Sequence, residues 1–402
     1  MTRAVRALVG AQVVSSLGSL MTVVALPWFV LETTGSAARM SVVLAAESAP
    51  LLLLTVPSAR FVARHGPWRT LVACDALWVV TTAAIPLLEL LGALSFPRLV
   101  ALAFLAGVPW AASLGSQSAM VTGLLGNDVR RVAGVNAFLQ TLTRLTYFVG
   151  PAIGGVVLAA FGAPAVLWLD AASFLVSLLI VAFVVPPVGP GASEPGAGRR
   201  HAGWRFVRRD RWMRPVTTAQ ALSQGAFMAM TAAIPVLAFT AHDRDPALAG
   251  ALLALWGGGA MVGSLLAIRL VRTASLHRLG ALAWAGQALP LWALVASRSP
   301  LVAAVALGAS GLANGVRVPP ISALTLQRVP PRICAETMTV ASSVILGTGF
   351  VGLLAAGLAL EHADPSLAWI GIAALQTVAA VLFARAALLA GSEGPVPSWP
   401  GG

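Results

Sequence analysis

Residues 40–90 read MSVVLAAESAPLLLLTVPSARFVARHGPWRTLVACDALWVVTTAAIPLLEL, two apolar runs on either side of a short gap holding Arg60, Arg64 and Arg69. Each run, Met40–Phe61 and Thr70–Leu90, is long enough to cross a hydrocarbon core of about 30 Å as a helix. A membrane barrel would instead show segments of about ten residues alternating in polarity. The unit helix, basic gap, helix therefore reads as a helical membrane hairpin.

Working outward, the same unit recurs along all 402 residues. Before the linker the apolar runs are Ala7–Leu31, Met40–Phe61, Thr70–Leu90, Leu99–Leu125, Ala133–Phe161 and Val166–Val185. After it they are Val216–Thr240, Leu248–Val271, Leu279–Ala296, Leu301–Thr325, Glu336–Leu360 and Leu367–Leu389. Hydrophobic residues make up 58% of the chain and charged residues 10%, where a soluble domain carries about a quarter. The 26 basic residues are all arginine, and they collect in alternate gaps. Only Arg39, Arg98, Arg244 and Arg298 fall in the opposite gaps, and Arg144 and Arg317 fall inside runs. This is the positive-inside pattern, which predicts both termini in the cytoplasm. The net charge of +12 is thus a topology signal and gives no reason to expect a nucleic-acid partner. The expected class is an all-α membrane protein with twelve transmembrane helices, multi-pass in a bacterial inner membrane.

The organisation expected is residues 1–185 as one six-helix half, 186–215 as a cytoplasmic linker, 216–390 as the second half and 391–402 as a tail. The linker opens Pro/Gly-rich and ends in the basic stretch Gly203–Pro215. That stretch reads as an amphipathic surface helix, with Trp204, Phe206, Val207 and Trp212 toward acyl chains and its arginines toward anionic lipid at the inner surface. The two halves echo each other at an offset of about 200 residues. Arg60 and Arg69 are answered by Arg269 and Arg278; Gly150, Gly155, Pro164 and Trp168 by Gly352, Gly357, Pro365 and Trp369. Halves repeated about an axis along the membrane normal predict a binding site between them at mid-membrane.

Several segments carry a family resemblance: Ser15–Ser36 (SSLGSLMTVVALPWFVLETTGS), GPAIGG at 150–155, Leu169–Ser177 (LDAASFLVS), Gly203–Asp210 (GWRFVRRD) and Leu326–Ile333 (LQRVPPRI). On these the chain resembles the major facilitator superfamily, and within it the bacterial drug-efflux branch with macrolide-efflux and enterobactin-exporter proteins. The resemblance implies two pseudo-symmetric halves, alternating access, no cofactor beyond the proton gradient, and a monomer. The loop after the second span, Ala59–Arg69, keeps Arg60, Arg64, Gly66 and Arg69 as the family's gating loop, but Ala63 stands where the family has an aspartate. Asp75 is the candidate substitute. The resemblance links the GPAIGG segment to sealing against leak in antiporters; on the residues alone, Gly150, Gly154 and Gly155 permit close helix packing and Pro151 a kink.

Ionisable residues inside spans cost about 2.5 to 3.5 kcal/mol each on insertion scales, so each is a functional candidate. Glu47 could take up and release a proton, with Asp75 as a second coupling carboxyl. Arg144 lies deep in the fifth span, on a face with Asn136 and Gln140 and one turn from Tyr147, the sole tyrosine. It could hold an anionic or carbonyl-rich substrate or pair with Glu47. Asn314 and Arg317 share a face of the tenth span with Ser310. Gln12, Gln117, Gln220 and Gln224 fall where the superfamily lines its cavity. Asp75 and Asp170, near an inner and an outer helix end respectively, read more as anchors or caps than as transport residues.

The Gly-rich GGGAMVGS and GPAIGG lie in apolar runs without a P-loop lysine. Cys74 and Cys334 are too few and too far apart in sequence to suggest a disulfide framework or a metal set, and no enzyme is expected. The function expected is export of amphipathic small molecules by proton antiport. The alternatives are a facilitator or proton symporter importing a small metabolite, and a non-transporting receptor or scaffold of the same fold.

Overall fold

The computed structural model describes residues 2–126, 129–189, 200–362 and 365–392. Among the described residues every regular element is helical. The first part of the chain forms α1 (Arg3–Thr34), α2 (Ala37–Leu53), α3 (Thr55–His65), α4 (Pro67–Leu90), α5 (Phe96–Gly107), α6 (Pro109–Leu125), α7 (Val129–Phe161) and α8 (Ala163–Phe183). The remainder forms α9 (Arg200–Arg209), α10 (Met213–Ala241), α11 (Pro246–Thr273), α12 (Leu276–Ala288), the single turn α13 (Ala293–Ala296), α14 (Pro300–Arg328), α15 (Cys334–His362) and α16 (Pro365–Ser392). Among the described residues, eleven stretches are long and apolar enough to cross a membrane, twelve if the bent pair α2–α3 is one span. Residues 190–199 of the expected linker and 393–402 of the expected tail lie outside the described residues.

Prolines explain where the spans depart from straight rods. The span expected at Met40–Phe61 is broken, its two pieces meeting at 63°. Pro57, in the first turn of α3, has no N–H to continue the ladder of α2, and a turn starts there at no cost. The span expected at Leu99–Leu125 divides into α5 and α6 just before Pro109. The span expected at Leu279–Ala296 tightens into a 3-10 turn at Leu289–Trp292, around Pro290.

Two compact units result. The first comprises Met1–Pro195 with Pro235–Ala254, and the second Gly196–Ile234 with Leu255–Gly402. In the first, α1 packs on α7 and α8, α4 on α6 and α8, and α2 on α5. Glycine sets the spacing at several of these crossings. A Cβ on Gly18 of α1 would lie 2.6 Å from Asp170 Oδ1, and one on Gly154 of α7 would lie 2.8 Å from the Met21 Cα. Gly155 faces Gly250, whose Cα would be 2.9 Å from an added Cβ, so the Pro235–Ala254 segment is knitted to α7 through backbone. Trp28 also meets Phe239 edge-on, centroids 5.3 Å apart.

In the second unit α12 packs on α14 and α16, and α9 on α15. The GGGAMVGS run serves packing: Gly259 and Gly263 of α11 and Gly311 and Gly315 of α14 each abut backbone of the facing helix. This is the small-residue approach typical of helices in lipid. Helix α9 corrects an expectation. Phe206, Val207 and Trp212 are buried, joining Met213, Val216, Trp284, Ile321, Leu324 and Phe383 in one core. They face protein, not acyl chains; only Trp204 remains exposed. Gly203 permits the contact, because a Cβ there would sit 2.7 Å from the Glu336 carbonyl carbon.

Candidate functional site

In the first unit the site is built along one face of α8. Asp170, Ser173 and Ser177 recur at i, i+3 and i+7 and so line one side of the helix. Asp170 is buried; it accepts a hydrogen bond from Thr22 of α1 at 2.7 Å and another from Ser173 at 3.4 Å. Two turns on, Ser177 donates to Asp75 of α4 at 2.7 Å, and both are buried. Trp78 of α4 stacks on Phe174 of α8, centroids 4.8 Å apart. Glu47 of α2 is half-buried and close enough to Asp170 for the two carboxyls to repel one another. Among the described residues none of the three carboxyls has an arginine within ion-pair distance.

That arrangement has a specific chemical competence. A hydroxyl can donate to a carboxylate, and its lone pairs can accept from the protonated acid. Asp75 and Asp170 thus keep a partner in either protonation state, where an arginine would favour only the charged one. Burial away from water makes each change of charge an energetic event that the surrounding helices feel.

Other sequence candidates in this unit scatter more widely. The pair of Glu47 with Arg144 is not formed. Arg144 is half-buried on α7, Tyr147 is exposed, and the side chain of Gln140 lies outside the described residues. Gln12 of α1 donates to Gln117 of α6, which in turn donates to Ser113 at 3.1 Å. Asp75 makes no ion pair with Arg60, Arg64 or Arg69, which stand exposed around Gly66. Gly66 has φ 82° and links α3 to α4.

The second unit holds a cation among its helices. The Arg317 guanidinium of α14 lies 4.3 Å over the ring of Trp284 on α12. Trp284 is wholly buried and stacks on Phe383 of α16 at 6.1 Å. Neither the Arg317 Nε nor the Trp284 Nε1 has a hydrogen-bond partner among the described residues, and no carboxylate pairs with Arg317. Ser310, two turns earlier on α14, is turned into the protein and donates to the Gln287 carbonyl at 3.0 Å. Asn314, Gln220 and Gln224 are half-buried. Among the described residues no group of three or more His, Cys, Asp or Glu could hold a metal.

Sequence reading undervalued Asp170 and missed Trp284. The signal for Asp170 was present in the i, i+3, i+7 spacing of Asp170, Ser173 and Ser177. No signal in the chain pointed to Trp284, one of 12 tryptophans.

Comparison with known proteins fits this architecture. The family model described as Major Facilitator Superfamily matches residues 8–345. The multidrug efflux pump Tap of Mycobacterium tuberculosis is 28% identical over 369 residues, covering 86% of this chain and 84% of that protein. Among solved structures, a mutant of the nucleoside transporter NupG superposes with a TM-score of 0.80 at 11% identity, covering 95% of this chain and 99% of that one. A bacterial homologue of the iron transporter ferroportin, in an inward-facing state, gives 0.77 at 13% identity, covering 96% and 98%. At such identities the structural likeness speaks to fold alone.

Proposed function

The chain belongs to the Major Facilitator Superfamily, and on that premise we propose that this multi-pass membrane transporter, which is not an enzyme, exports amphipathic small molecules in exchange for protons. The similarity to a multidrug efflux pump supports the substrate class and the direction. The observation that carries the proton is the pair of buried carboxyls on α8 hydroxyls, Asp170 and Asp75, with Glu47 beside the first. In this reading a proton moves onto Asp170 or Glu47, the repulsion between them falls, and α1, α2 and α8 relax together. Arg317, held on Trp284, supplies the fixed charge that a polar or anionic part of the substrate meets. The gating loop with Arg60, Arg64, Gly66 and Arg69 works without the family's aspartate. The two halves cycle by alternating access, with arginine-rich ends in the cytoplasm.

The test uses everted membrane vesicles energised with a proton gradient and given an amphipathic dye in the outside medium. Wild-type protein is expected to accumulate dye, and Glu47→Gln and Asp170→Asn to stop doing so while still exchanging dye down its own gradient. Unchanged proton-driven accumulation in both variants sinks the coupling assignment. Accumulation only in right-side-out vesicles reverses the direction.

A further inference from the structure

At the arginine-rich end of the second unit, a cleft of about 890 Å³ is lined by Arg208, Arg209, Asp210, Arg211, Arg214 and Arg385, together with Pro215, Thr218, Leu382 and Leu389. It exists because α9 buries its aromatic face in the protein. The arginines that would otherwise have spread over a membrane surface are turned toward the start of α10 and the end of α16 instead. The one acid in the cleft is already committed. Asp210 Oδ1 accepts the backbone N–H groups of Trp212 and Met213 at 2.9 and 2.8 Å, and Oδ2 accepts Arg328 Nε at 3.1 Å. Its charge holds α9, α10 and α14 together and does little for the arginines around it. Four of these, Arg208, Arg209, Arg214 and Arg385, have no carboxylate partner among the described residues.

Charge alone would suit any phosphate, but the rest of the lining is selective. Leu382 and Leu389 flank Arg385 on α16 at i−3 and i+4, so an apolar strip runs beside the guanidinium. Val378 and Val381, 49% and 52% exposed, continue that strip away from the cleft toward the middle of the span. A ligand that fits both parts has an anionic head and a long apolar tail. Guanidinium groups bind phosphate oxygens in a fork geometry, and a membrane leaflet with anionic lipid supplies that ligand at this depth. We propose that the cleft is a discrete site for the headgroup of an anionic phospholipid, with one acyl chain lying along the α16 strip. Its lining includes neither Arg317 nor any of the carboxyls named for proton coupling, and the proposal stands whichever way the transporter runs.

The experiment is native mass spectrometry of the full chain in detergent, offered equimolar phosphatidylglycerol and phosphatidylcholine. One phosphatidylglycerol per protein is expected, retained in preference to phosphatidylcholine. Arg214→Gln/Arg385→Gln should lose it by about tenfold or more, each arginine near a membrane surface contributing appreciably to anionic-lipid binding. Arg214→Lys/Arg385→Lys should keep most of it, and Arg272→Gln/Arg278→Gln all of it. Thr218→Glu, an exposed site in the cleft, sets a like charge against the headgroup without removing an arginine and should also lose the lipid. Equal retention of phosphatidylcholine, or unchanged binding in Thr218→Glu, overturns the proposal. So does displacement by millimolar inorganic phosphate, which would make this a site for free phosphate.

Discussion

In the first unit, Asp170 and Asp75 are buried with a hydroxyl on each, whereas in the second Arg317 is held over the ring of a buried tryptophan. Both arrangements place an ionisable group among apolar helices, which is costly in lipid. They offset the cost differently. A hydroxyl turns to suit either charge state of a carboxyl, so the first unit can gain or lose a proton without orphaning a partner. An indole face attracts only a cation, so the second unit holds its charge constant. The contrast separates a part that can switch from a part that can only bind.

The sharpest way to break this contrast is Asp170→Asn, which still accepts from one of the two hydroxyls and donates its amide N–H to the other, but removes the charge. Proton-driven dye accumulation is expected to fall about 100-fold, about 2.7 kcal/mol, while dye binding to purified protein stays within about threefold. A parallel loss of binding would merge the two roles. Next in size is a packing test in the second unit. Gly263→Ala places a Cβ within 2.8 Å of the Leu312 carbonyl carbon, backbone that cannot swing aside, and should cost about 2 kcal/mol of stability. Gly10→Ala, with open space around it, should cost nothing measurable, and thermal unfolding in detergent compares the two.

Arg317→Gln should weaken dye binding about tenfold, the scale of a desolvated cation–π contact plus one charged hydrogen bond, and leave the proton dependence of transport intact. A shifted proton dependence would mean that the second unit titrates as well. The smallest effect is expected from Thr22→Val, which removes a single hydroxyl from Asp170. Interhelical hydrogen bonds in membrane proteins average about 0.6 kcal/mol, so unfolding should shift slightly. Dye transport should slow by less than about threefold.

How much of this was legible varies by residue. Asp75, near an inner helix end, reads first as an anchor or cap; Glu47 stands out more, since an acid inside a run of about twenty apolar residues is costly. Arg317 is equally visible for the same reason. Its seat on Trp284 is not, because the 32 residues between them say nothing about which of twelve tryptophans α14 will meet. Asp170 was discounted for standing near the outer end of its expected span, Val166–Val185. Helix ends are common places for solvated caps, and only the position of Thr22 on α1 shows that this one is enclosed. The surface helix fails in a different way. Its amphipathic pattern correctly gave a helix with an apolar face, α9, but the pattern is the same whether that face meets lipid or protein. Gly203 against the Glu336 backbone decides for protein.

By itself, then, the chain determined everything that depends on length, apolarity and the placing of arginine. These are the helical class, the outer bounds of the spans within a few residues and the repeat of two halves. Each follows from local physics, because a backbone in lipid must satisfy its own hydrogen bonds. Tertiary structure alone decided which polar groups face one another across helices. Hydroxyls chose Asp170 and Asp75, an indole chose Arg317, and the buried face of α9 gathered five arginines into a cleft. Those pairings depend on helix rotation and crossing, which glycine contacts set to within an ångström or so and which no single helix records in its own sequence.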